Sequence, residues 1–317
     1  MTSSDISNDK HWADVKEAGA SIGMKILYYI LVIFGAIPVY IALYPVILYF
    51  YLFKSEARKA SREYLENLSA SYPELGIKSS PLVGFKHFLQ FANLIVDKVQ
   101  VWMGRLNIDD LGFSGRQLIV DYMSTGTGAL LVGSHHGNLE VCRGLSRQVP
   151  GVKVNVLVHT KHAMKFNSLL SDVDASNCMN LIQVTDIDPA TIILLKEKID
   201  NGEFVVIVGD RIPISSYSTQ PAQFLGKEAD FPVGPYILAM LLGCPIVLIF
   251  CIKNAGKYTM YFEKFVDKVK RGRSDRDSVF ADLAQRYAKR LEHYCKLAPL
   301  QWGNFFPFWA QKGNQKL

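Results

Sequence analysis

The chain has 317 residues, with 35 Lys and Arg against 29 Asp and Glu and a formal net charge of +6. Hydrophobic residues make up 49% of it, which excludes disordered and collagen-like classes and allows a large core, and the charge is too mild to indicate nucleic-acid binding. The widely spaced cysteines indicate neither a disulfide scaffold nor a thiolate zinc site and fit a reducing compartment; they are Cys142, Cys178, Cys244, Cys251 and Cys295.

The first element in chain order is an uncharged apolar segment of 28 residues, from Ile26 to Phe53. Because about 20 apolar residues can span a bilayer core, the segment predicts membrane attachment, with a buried core helix as the alternative. Pro38 and Pro45 are expected to kink a spanning helix or to split the segment into a shallow hairpin in one leaflet.

Basic residues follow this segment directly, and the positive-inside rule therefore predicts that the rest of the chain lies in the cytoplasm. These residues are Lys54, Arg58, Lys59 and Arg62. We expect a membrane-associated region over residues 1–75, containing the hydrophobic segment 26–53, and one domain over residues 76–317.

The remainder is predicted to be α/β, with a mixed, mostly parallel sheet covered by helices. Residues 55–104 are expected to be helical, and short apolar runs then alternate with helical segments, as in buried parallel sheets. The expected strands are Ala129–Ser134, Val152–His159, Leu181–Val184, Phe204–Gly209, Pro245–Lys253 and Tyr258–Phe265, and the expected helices are Pro189–Asn201, Pro235–Leu242 and Ser278–Cys295.

The most informative string is Val-Gly-Ser-His-His-Gly-Asn-Leu-Glu, residues 132–140, where a predicted strand ends and a helix begins. Ligands bind at the carboxyl ends of strands in open α/β sheets. Asn138 is expected to cap the helix, which places Glu140 in its first turn, from where its carboxylate can reach back to His135. Such a carboxylate would orient the imidazole and make it a general base.

Other interpretations of this region are open but less favoured. A capped helix start with a solvated Glu needs no function, and His136 or the pair His159 and His162 would suit a metal, although no third ligand follows at a recognisable spacing. Residues 126–128 lack the third glycine of a dinucleotide-binding loop, and Ser134 lies outside a GxSxG elbow. We therefore expect no metal and no cofactor.

Four blocks of sequence, in order, resemble the bacterial lipid A late acyltransferases of the glycerolipid acyltransferase superfamily. The first is the HX4E string from His135 to Glu140. The others are Val208–Pro213 (VGDRIP), Phe224–Lys227 with Pro232–Pro235, and Pro299–Trp309, which is similar to a PxQWxxFxxFW pattern. The Asp210-Arg211 pair, where an Asp-Gln pair is common, looks more like acyltransferases of aryl polyene pathways.

The resemblance implies a membrane-associated O-acyltransferase that moves a fatty acyl chain from acyl carrier protein or acyl-CoA to a hydroxyl of a lipid or glycolipid, at the bacterial inner membrane. His135 is expected to act as base and Glu140 as the carboxylate that orients it. Arg211 and a backbone N–H near Gly137 or Asn138 are candidates for binding the oxyanion, and Arg211 or Lys227 for binding an acceptor anion. Asp210 is expected to be structural.

Two alternative functions are a phospholipid-forming glycerol-phosphate or lysophospholipid acyltransferase and a non-catalytic membrane lipid-binding protein. A basic cluster could dock an acidic acyl carrier or anionic headgroups. It comprises Lys268, Lys270, Arg271, Arg273 and Arg276. The acyl-chain pocket is expected to include Leu169, Met179 and Trp302.

Overall fold

The computed structural model describes residues 29–103, 105, 111–144, 149, 151–158, 179–183, 188–212, 218–269 and 276–310. The helices are α1 (Ala36–Phe53), α2 (Ser55–Ser71), α3 (Pro81–Trp102), α4 (Arg116–Ser124), α5 (Pro189–Asp200), α6 (Gly234–Leu242) and α7 (Arg276–Leu297). The strands are β1 (Gly112–Ser114), β2 (Ala129–Gly133), β3 (Val154–Val158), β4 (Met179–Gln183), β5 (Phe204–Val208), β6 (Thr219–Phe224), β7 (Lys227–Pro232), β8 (Ile246–Asn254) and β9 (Lys257–Val266).

A seven-stranded sheet in the order β1-β9-β8-β2-β5-β3-β4 forms the centre of the fold. Only its β8–β9 pair is antiparallel, so β8, β2, β5, β3 and β4 run in one direction. The prediction of an α/β fold with a mixed, mostly parallel sheet is confirmed. Strands β6 and β7 form a separate antiparallel hairpin that the sequence pattern did not predict.

Both faces of the sheet are buried, which explains the continuous apolar strands. Successive residues of β2 alternate between two core clusters: Leu130 and Val132 pack with α2, α6 and α7, whereas Leu131 packs on the opposite face, towards α4. This alternation follows from the two-residue period of a strand. Most predicted strands and helices therefore appear within a few residues of their expected bounds.

The apolar N-terminal segment breaks at Gly35 and not at its prolines. Residues 29–34 are helical, Gly35 has φ +76, and α1 then continues through Pro45. A glycine adopts this left-handed conformation without the strain a side chain would add, while Pro38 lies in the first turn of α1, where its missing N–H costs no helical hydrogen bond.

Within the described residues, no single helix is long and apolar enough to cross a membrane. Helices α1 and α2 meet such a criterion only as a pair, and they are bent by 93° at their junction. At the bend, the Arg58 guanidinium donates to the carbonyls of Tyr51 and Leu52, the latter at 2.8 Å. These two carbonyls lie in the last turn of α1, where they have no partner within the helix.

Helix α2 packs into the main core through Tyr64, Leu65 and Leu68, all of which are buried. On the other side, Val39 of α1 is buried in a small cluster with Val96 and Val99 of α3. The N-terminal helices are thus attached to the α/β body by apolar contacts. The expected domain boundary near residue 75 stays a prediction.

Candidate active site

His135 and Asp210 are brought together by the register of two neighbouring parallel strands. Gly133 at the end of β2 pairs with Val208 at the end of β5, and each functional residue lies two positions beyond its member of this pair. Because parallel strands end at the same edge of a sheet, the two side chains meet there although they are 75 residues apart in sequence.

The Asp210 carboxylate holds His135 at two points. Its Oδ2 accepts the backbone N–H of His135 and its Oδ1 is bonded to ring Nδ1, both at 2.8 Å. The indole N–H of Trp302 also donates to Oδ2, at 3.1 Å. The expectation that Asp210 is a structural residue is therefore corrected: it is the carboxylate that orients the imidazole.

The protonation states follow from these contacts. Burial on its own would raise the pKa of Asp210, but His135 and Arg211 outweigh it and hold that pKa at about 2. The pKa of His135 is lowered from its ordinary 6.5, mainly by burial and then by the charge of Arg211. At neutral pH an ionised Asp210 thus accepts the Nδ1–H of a neutral His135, and Nε2 carries the lone pair.

Nε2 is the atom of His135 that could take part in chemistry. The side chain is 32% exposed, and Nε2 makes no hydrogen bond within the part of the chain that the structure describes. A neutral imidazole with an anchored Nδ1 and an available Nε2 is the geometry of a general base.

Glu140 does not occupy the position predicted for it on the His135 ring. It lies in the first turn of a short 3₁₀ helix (Leu139–Gly144), and its Oε1 is 2.8 Å from Nζ of Lys98 on α3. Asn138 caps this helix as expected, because its Oδ1 accepts the backbone N–H of Glu140 at 3.2 Å. Lys98 is close enough to His135 to lower its pKa, so the Glu140–Lys98 pair borders the site.

Arg211 lies at the site, next to Asp210. Its Nη2 donates to the carbonyl of Gly303 at 2.9 Å, and its guanidinium lies 5.3 Å from the ring centroid of Phe306. Its positive charge contributes to the lowered pKa of His135. The structure therefore brings the predicted base and the predicted cation together.

The backbone N–H groups of Gly137 and Asn138 are already used, contrary to their predicted role as oxyanion donors. The first donates to the carbonyl of Gln301 at 2.8 Å and the second to that of Cys251 at 2.9 Å. Gly137 has φ +73, and a Cβ there would lie 1.8 Å from the Cys251 oxygen. These bonds fix the His135 loop to β8 and to the C-terminal segment.

The remaining predicted residues lie elsewhere. Lys227 begins β7, where its Nζ is 3.7 Å from Glu63 of α2. His136 is buried, its Nε2 is bonded to the carbonyl of Ala298, and burial lowers its pKa to about 4, so it is a neutral core residue. The described residues contain no group of three His, Cys, Asp or Glu that could hold a metal ion.

Several expected residues fall wholly outside the described residues. These are Leu169, His159, His162, Pro213, Lys270, Arg271 and Arg273. Of the expected acyl-pocket residues, Trp302 is fully buried: its indole N–H donates to Asp210 and its ring packs in the aromatic core. Of the basic cluster, Lys268 and Arg276 are exposed.

Three of the four sequence blocks lie directly at the His135–Asp210 pair. The loop with His135 follows β2, Asp210-Arg211 follows β5, and residues 301–304 lie against both, since Gly303 donates its N–H to the carbonyl of His135 at 2.9 Å. The third block covers the turn between β6 and β7 and the end of β7 with the start of α6, and its Phe224 ring packs 5.2 Å from the Trp302 ring, centroid to centroid. A histidine held by a buried carboxylate at this edge has the geometry that a general base requires.

Residues 29–311 match the sequence profile of the family described as bacterial lipid A biosynthesis acyltransferase. Because the match covers most of the chain, the protein belongs to this family, as the resemblance predicted. Its reaction class is therefore acyl transfer to a lipid acceptor. No curated protein matches the chain.

Proposed function

We propose that the protein is a membrane-associated O-acyltransferase that moves a fatty acyl group from an acyl thioester, on acyl carrier protein or coenzyme A, to a hydroxyl of a lipid or glycolipid. The observation on which the proposal rests is the His135–Asp210 pair, with Nδ1 anchored and Nε2 unbonded within the described residues.

His135 acts as the general base. Its Nε2 takes the proton of the acceptor hydroxyl while the oxygen attacks the thioester carbonyl, and the C–S bond of the tetrahedral intermediate then breaks. The departing thiolate receives the proton from Nε2–H, so the products are an ester and a free thiol. Base catalysis of this kind contributes roughly 10²–10⁴ in rate.

Arg211 stabilises the negative charge that develops on the carbonyl oxygen or on an acceptor phosphate. Its fixed guanidinium, held by the Gly303 carbonyl beside His135, supports this role. The N–H groups of Gly137 and Asn138 are less suitable because backbone carbonyls occupy them. Lys227 is a second candidate for binding an anionic group of the acceptor, because its side chain is half exposed.

Glu140 acts through its charge. Because Asp210 occupies Nδ1, the role proposed for Glu140 is to stabilise the imidazolium that forms when His135 takes a proton. Its ion pair with Lys98 supports this, because an unneutralised Lys98 would oppose a second positive charge on His135.

Membrane association is supported by the exposed apolar side chains of residues 29–53. Thirteen large apolar side chains are exposed within these 25 residues, and concentrated exposed apolar surface marks an interaction site. These side chains are Tyr29, Val32, Ile33, Phe34, Ile37, Ile41, Tyr44, Val46, Leu48, Tyr49, Phe50, Leu52 and Phe53. We infer attachment to the bacterial inner membrane with the catalytic body in the cytoplasm, where the exposed Lys268 and Arg276 favour an acidic acyl carrier.

The catalytic proposal is tested with the full chain in lipid nanodiscs, given labelled acyl carrier protein or acyl-CoA and a lipid extract as acceptor. We expect turnover of His135→Ala to be at least about 10²-fold below wild type, while His293→Ala, which removes an exposed histidine of α7, keeps normal activity. Wild-type turnover by His135→Ala would refute the proposal.

Membrane attachment is tested by vesicle flotation. The double variant Ile37→Lys/Ile41→Lys places two charges on the exposed face of α1, where the side chains are 75% and 67% exposed. It should float less than wild type, whereas Ile193→Lys, a change at an exposed isoleucine of α5, should not. Equal flotation of all three proteins would contradict attachment through this face.

A further inference from the structure

A buried histidine of α3 is linked to the candidate active site through Trp302. His87 is fully buried, and its Nδ1 lies 2.8 Å from Oγ of Ser61 on α2. Its Nε2 lies 2.8 Å from the carbonyl oxygen of Trp302. Trp302 in turn donates its indole N–H to Asp210, the carboxylate that holds His135. Hydrogen bonds thus connect two N-terminal helices to the proposed base.

The direction of each hydrogen bond made by His87 follows from the chemistry of its partners. A carbonyl oxygen only accepts, so Nε2 carries the proton and donates to Trp302. Burial lowers the pKa of His87 to about 4, so the ring is neutral at neutral pH and its Nδ1 accepts the hydroxyl proton of Ser61. Because both ring nitrogens are paired, His87 can act on the reaction only through its neighbours.

The surroundings of His87 are aromatic, which makes a polar side chain costly at this position. Its ring stacks on that of Phe305 with the centroids 4.7 Å apart, and it lies 5.4 Å from the ring of Tyr64. An apolar side chain of similar size would fill this position without the cost of burying two polar nitrogens. What the imidazole adds is a directed donor for the Trp302 carbonyl.

The backbone of Trp302 is held by two different elements. It forms an antiparallel bridge with His136, in the loop that carries the proposed base. Helix α3 holds its carbonyl through His87. With the backbone fixed in this way, the indole N–H reaches Oδ2 of Asp210 at 3.1 Å.

We propose that His87 is a positioning residue of the acyltransferase, which sets the turnover rate by aiming the Trp302 indole at Asp210. The inference rests on the proposed function for the reaction that is affected, but the geometry is measurable without turnover. A small displacement of a catalytic group slows a reaction markedly. Here a shift of Trp302 would remove one of the three N–H groups that donate to the Asp210 carboxylate, the other two being those of His135.

The kinetic test uses the full chain in lipid nanodiscs. His87→Leu removes the donor, and we expect kcat to fall about 10–100-fold without a change in KM for the acyl thioester, because the lost positioning acts on the chemical step. His87→Gln, whose side-chain N–H can reach the same carbonyl, should recover most of this activity. Leu195→Ala, a truncation in the core at α5, is the control for destabilisation and should keep its kcat at a temperature where it stays folded.

A spectroscopic test follows the Trp302 indole itself, with ¹⁵N-labelled tryptophan and Trp302→Phe to assign the signal. We expect His87→Leu to move the indole proton upfield, as the hydrogen bond to Asp210 lengthens, and His87→Gln to leave it near its wild-type position. Ser61→Ala removes the partner of Nδ1 and should give a smaller shift in the same direction. It serves as the second variant if His87→Leu does not fold.

The two tests have separate failures. Wild-type kcat in His87→Leu, or an equal loss of kcat in Leu195→Ala, would overturn the inference. An unmoved Trp302 signal overturns it without reference to acyl transfer. Turnover of His135→Ala at the wild-type rate would refute the proposed function, and the role of His87 with it.

Discussion

Asp210 accepts both N–H groups of His135, the backbone N–H at Oδ2 and the ring Nδ1–H at Oδ1, each at 2.8 Å. The bidentate contact fixes the position of the residue as well as the orientation of its ring. His135 itself and the charge of Arg211 lower the pKa of Asp210 and keep its carboxylate ionised in a buried setting, and Trp302 donates a hydrogen bond to it. The base of the proposed reaction is thus pre-organised before any substrate binds.

The first prediction concerns this contact. Asp210→Asn should lower kcat by about 10²–10⁴, because an amide presents an N–H to the ring and favours the wrong tautomer of His135. Single-turnover acyl transfer measures the effect. Asp200→Asn, at an exposed carboxylate at the end of α5, serves as control, and equal rates for the two variants would remove Asp210 from the mechanism.

The second prediction concerns pH. A base must be deprotonated to act, and the pKa of His135 is lowered from 6.5, so activity should fall only as the pH drops through a value below 6.5. The profile of kcat/KM measures this midpoint, since it reports groups of the free enzyme. A midpoint of the kcat/KM profile above pH 6.5 would contradict a His135 whose pKa is lowered by burial and by Arg211.

The third prediction separates the two charges beside the ring. Arg211→Gln removes a charge that lowers the pKa of His135, so that pKa should rise. Glu140→Gln removes the negative charge that is paired with Lys98 beside the site, so the same pKa should fall. NMR titration of ¹³C-labelled histidine follows the ring without relying on activity, and shifts in the same direction for both variants would refute the arrangement.

The fourth prediction concerns the glycine of the catalytic loop. Gly137→Ala should abolish stable folding, because the new Cβ would lie 1.8 Å from the Cys251 oxygen. Gly126→Ala has a similar φ of +66 but no atom within 4 Å, so it should cost only the left-handed strain of about 1–2 kcal/mol. Thermal melting compares the two, and a Gly137→Ala protein as stable as Gly126→Ala would contradict the observed packing.

The fifth prediction concerns the buried ion pair that joins α3 to the sheet. The Asp97 carboxylate accepts hydrogen bonds from Lys253 Nζ and Tyr258 Oη, each at 2.6 Å, and from Tyr40 Oη at 2.7 Å. Lys253→Met should therefore destabilise the protein by about 3–5 kcal/mol, since it leaves a buried carboxylate without its cation. Adding Asp97→Asn should recover part of the loss in denaturant unfolding, and strictly additive losses would show that the pair is not coupled.

Local sequence pattern was sufficient for most of the fold. The strands from Ala129, Phe204 and Ile246 are continuous apolar runs because both faces of the sheet are buried, and such runs are visible without any tertiary information. The β6–β7 hairpin was not predicted, since β6 reads Thr-Gln-Pro-Ala-Gln-Phe and lacks a β-branched apolar run. Its pairing depends on packing against α7 and the aromatic core.

For the site, local pattern was enough to propose His135 as the base, to place Glu140 near it and to find the four blocks that resemble lipid A acyltransferases. The identity of the carboxylate that holds the imidazole follows from the fold. Glu140 is five residues away along the chain, but Asp210, 75 residues away, reaches the ring through the β2–β5 register, and Trp302 approaches Asp210 across another 92 residues. Strand register and the return of the C-terminal segment are long-range consequences of core packing, and spacing along one chain does not reveal them.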